Sequence, residues 1–539
     1  MKAADAIVKC LQKENVEVVF GYPGGAVLPL YDALRNNGMV RHILVRHEQA
    51  AVHSASGYAR TTGSVGVAIG TSGPGATNLI TGIATAYMDS IPLVIITGQV
   101  RTDLMGRDVF QEVDITGATE PFIKHSYLVR NAQQLPRIMK EAFHIASTGR
   151  PGPVLIDIPV DIQNTRIEFN QPDELQIRGY KPTFEGHVGQ IKRALRKLRH
   201  SKKPLICVGG GILHAKATKE LAGFALKARI PVVHTLMGIG AMGVDHPYYF
   251  GMIGSHGFAH ANRGVGQADL LVVIGARVAD RATAGSGIFA KNAEIIHIDI
   301  DPAEIGKNLG TLIPVVGDAK HILQQLSDGI EPLETEEWVA ELASIRDRVH
   351  TEIHNKPGFV NPKQVLRDLG EVVDDQAVVT ADVGQNQLWA ARNFPMQGDR
   401  KLLMSGGLGT MGYSLPAAVG AKVAAPDRQV VAIVGDGGFQ MSMFELGTIA
   451  QNRLAIVILL FNNSRLGMVR ELQDRGYGET FGIDITDGNP DFIALVQAYG
   501  FQGVQVTNTK DFSASMRVAL ESGKPYLVEC IVDAKESTL

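Results

Sequence analysis

The chain has 539 residues, of which 45% are hydrophobic and 20% are charged, and its formal net charge is −3. This length is enough for three or four domains of about 150 residues each. The charges are spread along the chain, which disfavours nucleic acid or an anionic membrane surface as a partner. No apolar run reaches the roughly 18 residues of a membrane span, so we expect no membrane insertion.

The beginning of the chain and its cysteines indicate a cytoplasmic protein. The N-terminal segment reads as an amphipathic helix followed by a strand, without the apolar core of a secretory signal. Cys10, Cys207 and Cys530 are odd in number, far apart and without metal-ligand spacing. We therefore expect three buried, reduced thiols.

Short apolar strands alternate with helices through the first part of the chain, and residues 1–163 are predicted as one domain. The pattern predicts helices at Gln49–Thr61 and Ala76–Met88. The predicted strands are Val18–Gly21, Ile43–Arg46, Val65–Gly70, Leu93–Gly98 and Val154–Ile158. Residues 164–187 are polar and irregular, which is typical of a linker.

The alternation continues in two further predicted domains, residues 188–326 and 361–539, which are separated by a charged, helical stretch at Glu334–Glu352. The predicted strands are Leu205–Val208, Val232–His234, Leu270–Ile274 and Ile295–Ile298 in the second domain, and Ala377–Thr380, Val430–Val434, Ala455–Phe461 and Tyr526–Ile531 in the third. The fold class is therefore α/β, with three doubly wound parallel-sheet domains.

One motif of the third domain predicts a metal and diphosphate site. Gly435-Asp436-Gly437-Gly438 follows a buried strand, a helix is predicted over Phe439–Arg453, and the next strand ends at Asn462-Asn463. Because neighbouring parallel strands open on the same sheet edge, Asp436 and an asparagine can converge there as oxygen ligands of Mg²⁺. Glycines and a helix N-terminus at Gly438 suit a diphosphate. The alternative is an ordinary strand–turn–helix–strand unit.

A second signal lies in the first domain, where Glu48 ends a strand and opens a helix. By itself it is explained by the helix dipole, which stabilises a carboxylate at this end. The spacing from Gly435-Asp436-Gly437 to Asn462-Asn463 resembles the signature of thiamine-diphosphate enzymes, in which a glutamate at the Glu48 position contacts the cofactor's aminopyrimidine ring.

Over nearly its whole length the chain resembles the large catalytic subunits of acetohydroxyacid synthase (acetolactate synthase). The matching stretches are Gly21–Ala26, Arg46–Gln49, Thr71–Asn78, Phe110–Glu112, Gly149–Val154, Asp382–Gln385, Ser405–Gly412 and Gly467–Val469. The resemblance implies decarboxylation of pyruvate and transfer of the two-carbon unit to a second 2-keto acid. The product is 2-acetolactate or 2-aceto-2-hydroxybutyrate, the first intermediate of branched-chain amino-acid biosynthesis.

The resemblance also implies roles for single residues. Glu48 activates thiamine diphosphate, Gly25 and Gln111 line the reacting centre, and Met411 supports the bent cofactor. Asp436, Asn463 and the main-chain oxygen of Arg465 hold Mg²⁺. The other implied cofactor contacts are Asn78, Gly384, Gln385, Asn386, Gly409, Gly435, Gly437, Gly438, Gly467 and Met468. Arg281 is the candidate for binding the second substrate's carboxylate in a bidentate manner, and Phe110 and Leu472 complete the substrate pocket.

The second domain resembles the FAD domain of the biosynthetic members. The residues implied to contact FAD are Arg150, Gly209, Gly210, Gly211, Thr235, Leu236, Met237, His256, Gly275, Arg277, Asp299 and Asp318. Most of them follow strands, where glycines and an acid suit the phosphates and ribose of a dinucleotide.

The sequence departs from the family at several of these positions. Val278-Ala279 stands where Phe-Asp is usual, Ser255 replaces a methionine, and Asn386 replaces a histidine. Leu472 stands where the family generally carries a tryptophan that favours 2-ketobutyrate, so we expect a roomier pocket, a weaker 2-ketobutyrate preference and poor sensitivity to herbicidal inhibitors.

In the family, the site lies between the first domain of one chain and the third domain of its partner, which implies a homodimer or homotetramer. The sequence leaves open whether a small regulatory subunit also binds. Alternatives are the catabolic, flavin-free acetolactate synthase and other thiamine-dependent decarboxylases or carboligases. The alternative of a nicotinamide dehydrogenase is supported only by a GxGxxG match at Gly407–Gly412, and this match follows a weakly predicted strand at Lys401–Met404. A non-catalytic nucleotide-binding module would not need Glu48, Asp436 and Asn463 together.

Overall fold

The computed structural model describes residues 1–283, 289–348 and 356–539. Strands in these ranges form three six-stranded sheets, and the predicted fold class is confirmed. None of the helices within the described ranges is long and apolar enough to cross a membrane.

The first sheet is formed by the N-terminal part of the chain. Its strands are β1 (Val18–Gly21), β2 (Arg41–Leu44), β3 (Gly66–Gly70), β4 (Leu93–Gln99), β5 (His125–Leu128) and β6 (Pro153–Pro159). Its α-helices are α1 (Ala3–Lys13), α2 (Leu28–Asn37), α3 (Glu48–Thr62), α4 (Pro74–Thr77), α5 (Ile80–Met88), α6 (Ile115–Thr119), α7 (Leu135–Ser147) and α8 (Val160–Asn164), with 3₁₀ turns at Gly25–Val27, Glu120–Phe122 and Ala132–Gln134. The parallel strands lie in the order β2-β1-β3-β4-β6-β5.

The second sheet is formed by the middle of the chain. Its strands are β7 (Pro204–Val208), β8 (Val232–His234), β9 (Tyr249–Met252), β10 (Leu270–Ile274), β11 (Glu294–Asp299) and β12 (Ile313–Val316). The helices are α9 (Val188–His200), α10 (Gly211–His214), α11 (Thr218–Ala228), α12 (Ala259–Gln267), α13 (Asp280–Thr283), α14 (Ala319–Gly329) and α15 (Glu336–Arg348), with a 3₁₀ turn at Leu236–Gly238. The order is β12-β11-β10-β7-β8-β9, again parallel.

The third sheet is formed by the C-terminal part. Its strands are β13 (Val378–Ala381), β14 (Lys401–Met404), β15 (Val430–Gly435), β16 (Ile456–Asn462), β17 (Gln502–Val506) and β18 (Tyr526–Ile531). The helices are α16 (Pro362–Val372), α17 (Gln385–Asn393), α18 (Ser414–Ala424), α19 (Asp436–Gln440), α20 (Leu446–Asn452), α21 (Gly467–Gly476), α22 (Phe492–Ala498) and α23 (Phe512–Glu521), with 3₁₀ turns at Met443–Glu445, Thr486–Gly488 and Thr509–Asp511. The order is β14-β13-β15-β16-β18-β17.

Several predicted elements have different boundaries in the structure. The helix predicted over Ala76–Met88 is divided into α4 and α5, and α4 begins at Pro74, where a proline suits the first turn. The helix predicted over Phe439–Arg453 starts earlier, at Asp436, and continues as a 3₁₀ turn and α20. Residues 349–352 of the helix predicted at Glu334–Glu352 lie outside the described residues.

The three cysteines agree with their prediction. All are free and buried, and burial raises the pKa of Cys10 and of Cys207 to about 12. Their thiols are therefore protonated and unreactive at neutral pH.

The chain forms two compact units. The first comprises Met1–Tyr180, Asn355–Gln387 and Leu403–Ser537, and the second comprises Lys181–His354, Leu388–Leu402 and Thr538–Leu539. The first unit thus contains the first sheet and most of the third, and one hydrophobic core includes side chains of both, among them Phe20, Ile43, Leu415 and Leu460.

A close crossing of α3 and α18 joins these two sheets. Gly57 of α3 lies against the Ala417 carbonyl of α18, and Gly420 of α18 lies against the Ser54 carbonyl of α3, so that a Cβ at either glycine would collide with backbone. The Ser54 hydroxyl also donates a hydrogen bond to the Pro416 carbonyl at 2.9 Å. The two helices therefore meet backbone to backbone, which only glycine permits at these points.

This contact predicts that G420A destabilises the protein although alanine is the better helix former. Alanine in a helix interior is favoured over glycine by about 1 kcal/mol, but the collision with Ser54 should cost about 1–3 kcal/mol net. Urea unfolding followed by circular dichroism measures the change. The control is G223A in α11, where an added Cβ meets no atom; G420A as stable as that control would show that the crossing is not tight.

Candidate active site

The first set of predicted site residues gathers where the strand order of the first sheet reverses, between β1 and β3. Ala26, after β1, donates its backbone N–H to Thr71 Oγ1, after β3, at 3.2 Å. Gly24 approaches the Thr71 side chain so closely that a Cβ would lie 2.5 Å from its Cγ2. Ligand sites of open α/β sheets lie at this kind of crevice.

Glu48 lies at the edge of this crevice as the first residue of α3. Its side chain is only 8% exposed, and its Oε2 accepts a hydrogen bond from Asn78 Nδ2 at 3.0 Å. His47 caps the helix, since its Nδ1 accepts the Gln49 backbone N–H at 3.2 Å. The helix end and Asn78 together stabilise a carboxylate that is held away from bulk water.

Gln111 lies at the same crevice of the first sheet and has an unusual backbone conformation. Its φ is +60°, and Gly73 lies so near that a Cβ there would be 2.8 Å from Gln111 Cβ. An added Cβ at Gly25, by contrast, meets no atom within 4 Å, so space is open beside it. Phe110 is 85% exposed.

The second set gathers at the reversal point of the third sheet, between β13 and β15. Asp436, the first residue of α19, is buried; its Oδ1 accepts the Gly437 N–H at 3.0 Å and its Oδ2 accepts Asn489 Nδ2 at 3.0 Å. Asn463 Oδ1 accepts the Arg465 N–H at 3.2 Å, and its Nδ2 donates to Gln385 Oε1 at 2.9 Å. The Arg465 guanidinium pairs with Asp484 at 3.2 Å. The predicted metal ligand is the main-chain oxygen of Arg465, which this ion pair does not involve.

These residues fit a hard cation. Burial raises the pKa of Asp436 to about 6, and a bound cation would keep this carboxylate ionised. Within the described ranges, no group of three His, Cys, Asp or Glu side chains could hold a metal. The predicted set is instead one carboxylate, one amide and one main-chain oxygen, which leaves positions for diphosphate oxygens around Mg²⁺.

The turn after β13 shapes the rest of this crevice. Asn386 donates to the Asp382 carbonyl at 2.7 Å, and its Oδ1 lies beside Gly384 and Gly435, 2.8 Å and 3.2 Å from Cβ atoms built there. Gly467 lies directly against Gln385, whose Oε1 an added Cβ would displace. Met411 lies near Gly437, with its Cε 3.8 Å from a Cβ built at that glycine.

Sequence reasoning assigned no role to two polar residues that hold the second set. Asn489 links Asp436 to Asn462 Oδ1, which it contacts at 3.3 Å, and it lies in a loop without a motif. Asp382 is fully buried and accepts the backbone N–H groups of Gly412 at 2.9 Å and Ser414 at 3.1 Å. Its position directly after the buried strand β13 is the sequence feature that could have identified it.

The second sheet brings together the glycines predicted to face FAD. Its order reverses between β7 and β10, where Gly211 donates its N–H to the Gly275 carbonyl at 3.0 Å and Gly275 has a φ of +55°. A Cβ on Gly211 would lie 2.6 Å from Gly275 Cα. Counted from β7, the order is 3-2-1-4-5-6, which is typical of dinucleotide-binding folds.

The other predicted FAD residues have varied surroundings. Asp299 ends β11, and its Oδ1 accepts the Asp301 N–H at 2.9 Å. Asp318 Oδ1 caps α14 by accepting the Lys320 N–H at 2.9 Å, a structural role that the prediction did not include. Thr235, Leu236 and Met237 begin the turn after β8. The remaining positions are Gly209 and Gly210 after β7, His256 and Arg277 in loops, and Arg150, whose Nε donates to Ser90 Oγ at 2.9 Å.

The two predicted specificity residues are exposed. Arg281 in α13 lies 3.8 Å from Asp280, and both side chains are largely accessible. Leu472 on α21 is 47% exposed.

Comparison with known proteins agrees with this arrangement. Family models of the thiamine pyrophosphate enzymes match the N-terminal TPP binding domain at residues 1–118, the central domain at 191–326 and the C-terminal TPP binding domain at 382–530. The chain belongs to the thiamine pyrophosphate enzymes. The cofactor of this family, thiamine diphosphate, is therefore the cofactor of the chain.

Within this family, the chain is similar to acetolactate synthase large subunits. It is 44% identical to the "Probable acetolactate synthase large subunit" of Methanococcus aeolicus, over 99% of this chain and 92% of that protein. It is 43% identical to the isozyme 3 large subunit of Escherichia coli strain K12, over 99% and 96%. It is 45% identical to the large subunit of Corynebacterium glutamicum, over 99% and 87%. The resemblance found in the sequence is thus confirmed.

A buried carboxylate supports the loop that carries Gln111. Asp157 in β6 accepts the Thr97 hydroxyl at 2.7 Å and Gln99 Nε2 at 2.9 Å. The same Gln99 Nε2 donates to the Val113 carbonyl at 2.8 Å. Burial raises the pKa of Asp157 to about 7, so the carboxyl group holds a proton in the folded state at pH values where the unfolded chain has lost it.

We predict that the stability of the wild type falls relative to that of D157N as the pH rises from 5 to about 7, and that the difference then stays constant up to pH 8. The folded pKa of Asp157 lies above its unfolded value, so its contribution is complete below the unfolded pKa and is lost as the pH rises through about 7. The wild type should therefore lose up to about 1.4 kcal/mol per pH unit relative to D157N. Urea unfolding at each pH measures this, and D32N, at an exposed aspartate, controls for the loss of one acid. A constant difference across the range would contradict the prediction.

Proposed function

We propose that the chain is the catalytic large subunit of an acetolactate synthase. It decarboxylates pyruvate and joins the two-carbon unit to a second 2-keto acid, giving 2-acetolactate or 2-aceto-2-hydroxybutyrate for branched-chain amino-acid biosynthesis. The observation that carries this is the 43–45% identity to acetolactate synthase large subunits over nearly the full chain. Bound thiamine diphosphate supplies the electron sink for CO₂ release and carbon–carbon bond formation.

Glu48 performs the proton chemistry of cofactor activation. Its buried carboxyl group, fixed by the start of α3 and by Asn78, holds or releases a proton at the aminopyrimidine ring. Gly25 leaves space for substrate, and Gln111, at the end of its strained turn, presents an amide to the reacting groups. Exclusion of water from this crevice by bound cofactor and substrate would strengthen each of these polar contacts.

We propose Mg²⁺ as the metal and FAD as a structural cofactor. Asp436, Asn463 and the Arg465 main-chain oxygen would hold Mg²⁺ and so anchor the diphosphate. The glycine cradle between β7 and β10 and the dinucleotide-type strand order support FAD. The substitutions Val278-Ala279 and Ser255 leave this cradle in place.

The assembly we propose is at least a homodimer in the cytoplasm. Glu48 and Asp436 belong to different sheets, and each is held by partners of its own sheet. The site would be completed by the first domain of one chain and the third domain of another, with boundaries at residues 1–163, 188–326 and 361–539. The curated relatives are named large subunits, which supports a separate small subunit as a further partner.

Product analysis tests the function. With pyruvate, thiamine diphosphate and Mg²⁺, the purified protein should form 2-acetolactate, and E48Q should lose at least about 100-fold in kcat, as expected for loss of a general acid–base. The assay is repeated with and without FAD. Activity with no flavin bound or required would favour the catabolic, flavin-free acetolactate synthase, and acetaldehyde or another carboligation product would favour a different thiamine enzyme.

Substrate preference is proposed to depend on Arg281 and Leu472. Arg281 would bind the second substrate's carboxylate, and Leu472 leaves more room than tryptophan. We therefore predict that L472W raises the preference for 2-ketobutyrate over pyruvate about tenfold, because contact of one additional substrate methylene with a hydrophobic pocket is worth about 1–3 kcal/mol. Competition between the two keto acids, with both products quantified, measures the ratio. L213W, at an exposed leucine of α10, is the control; a wild type that already prefers 2-ketobutyrate many-fold would contradict the proposal.

A further inference from the structure

Glu445 belongs to the third sheet's part of the chain, but its carboxylate accepts a hydrogen bond from the first sheet's part of the chain. It ends the 3₁₀ turn Met443–Glu445 and is fully buried. Its Oε1 accepts the backbone N–H of Arg46 at 2.7 Å, and its Oε2 accepts the Thr448 hydroxyl at 2.6 Å. The backbone N–H of His47 also donates to this carboxylate.

The two backbone donors are the residues directly before Glu48. A helix leaves its first N–H groups without partners inside the helix, and an anion near this end is stabilised by the helix dipole. His47 Nδ1 already accepts the Gln49 N–H of α3. Glu445 thus adds a second anchor at the same helix end, supplied by a distant part of the sequence.

Arg46 fixes the same segment through its side chain. Its Nη2 donates to the Gly447 carbonyl at 3.2 Å and to Gln451 Oε1 at 2.8 Å, and its Nη1 donates to the Leu44 carbonyl at 3.2 Å. Gly447 lies against this side chain, since a Cβ at Gly447 would be 2.9 Å from Arg46 Nε and would displace the guanidinium group. The segment between β2 and α3 is therefore tied to the start of α20 by backbone and side chain alike.

A fully buried carboxylate is costly unless its oxygens are satisfied. Burial raises the pKa of Glu445 to about 7, while the bonds from Thr448, Arg46 and His47 act in the opposite direction. The established chemistry does not use this group directly. Its three donors and its position beside the Glu48 backbone suggest what it does.

We propose that Glu445 is a positioning residue for Glu48: by holding the Arg46 and His47 amides, it sets where α3 begins and how Glu48 meets the aminopyrimidine ring. This inference rests on the proposed role of Glu48 in activating thiamine diphosphate. Glu445 does not touch the cofactor. It acts only through the backbone of the two residues before Glu48.

Three substitutions at Glu445 distinguish the effect of its two acceptor oxygens from the effects of side-chain size and charge. E445M keeps the length but removes both acceptors, and E445D keeps the charge but shortens the side chain by one methylene. E445Q keeps one acceptor oxygen for the Arg46 and His47 amides, and the Thr448 hydroxyl can turn to accept the new NH₂ group. The matched control is E141Q, at another buried glutamate, which accepts from Tyr127 and Arg137 in the first sheet's part of the chain.

The readout is the exchange of the C2 proton of bound thiamine diphosphate for deuterium, followed by NMR after quenching, in the full-length protein with Mg²⁺. Because a displacement of about 1 Å can cost about 100-fold, we expect at least a tenfold slower exchange and a matching fall in kcat for E445M and E445D. E445Q and E141Q should stay within about threefold of wild type, and the KM for thiamine diphosphate should change little in all four, since the diphosphate site is intact.

Exchange within threefold of wild type in folded E445M, or in E445D where E445M does not fold, overturns the proposal. So does a slowdown in E141Q equal to that in E445D, since the effect would then reflect general loss of a buried acid. Failure of the proposed function has a different signature: the wild type itself would not exchange the C2 proton faster than E48Q, and this inference would fall with it.

Discussion

The backbone contact between α3 and α18 is the constraint on which the first unit depends. Gly57 and Gly420 each lie against a carbonyl of the other helix, so the two helices cannot slide apart or rotate without losing contact along their length. Because α3 follows β2 and α18 packs on β13 and β15, this crossing fixes the first sheet relative to the third. Every polar contact near Glu48 is made on that fixed frame.

Helix starts carry most of the chemistry in this frame. Glu48 is the first residue of α3 and Asp436 is the first residue of α19, and each helix follows a parallel strand, β2 and β15 respectively. A carboxylate at this position is near free N–H groups, which offset part of its burial cost. The two acids nevertheless have different partners, since Glu48 accepts from an amide of a neighbouring helix end and Asp436 from Asn489 of a loop. In the proposed mechanism, Glu48 exchanges a proton with the aminopyrimidine ring and Asp436 binds the cation.

The interior strands of the fold were predictable from the sequence, and four of the six edge strands in the described ranges were not. The interior strands are continuous apolar runs, and each was predicted within about two residues, which is the usual precision for boundaries. The four strands that were missed, β5, β9, β12 and β17, all lie at sheet edges. Two of them, β5 and β17, are half-exposed and have no apolar run. An edge strand needs only one neighbour, so its sequence carries a weaker pattern.

The candidate site shows the same division. Asp436, Glu48 and the glycines follow strands, so topology alone brings them to the sheet edges. Asn489 and Glu445 were not found, because their partners are distant in sequence and their own neighbourhoods contain no pattern. Arg46 and Glu445, for example, are separated by 399 positions. Contacts of this kind depend on how whole helices and strands pack, and no local sequence pattern predicts them.

The three sheets differ in strand order and in the groups that they offer to a ligand. The first and third share the order 2-1-3-4-6-5, whereas the second has the order 3-2-1-4-5-6 when counted from β7. In each, the reversal point lies between two strands whose carboxyl ends carry glycines, so each sheet offers one crevice to a ligand. The first and third crevices provide acids at helix starts, which suit a ring that exchanges protons and a metal-bound diphosphate. The second provides glycines after β7 and β10 and an acid at the end of β11, Asp299, which suit the phosphates and ribose of a dinucleotide. We therefore propose that the first and third sheets carry the groups for thiamine chemistry and that the second sheet binds a dinucleotide.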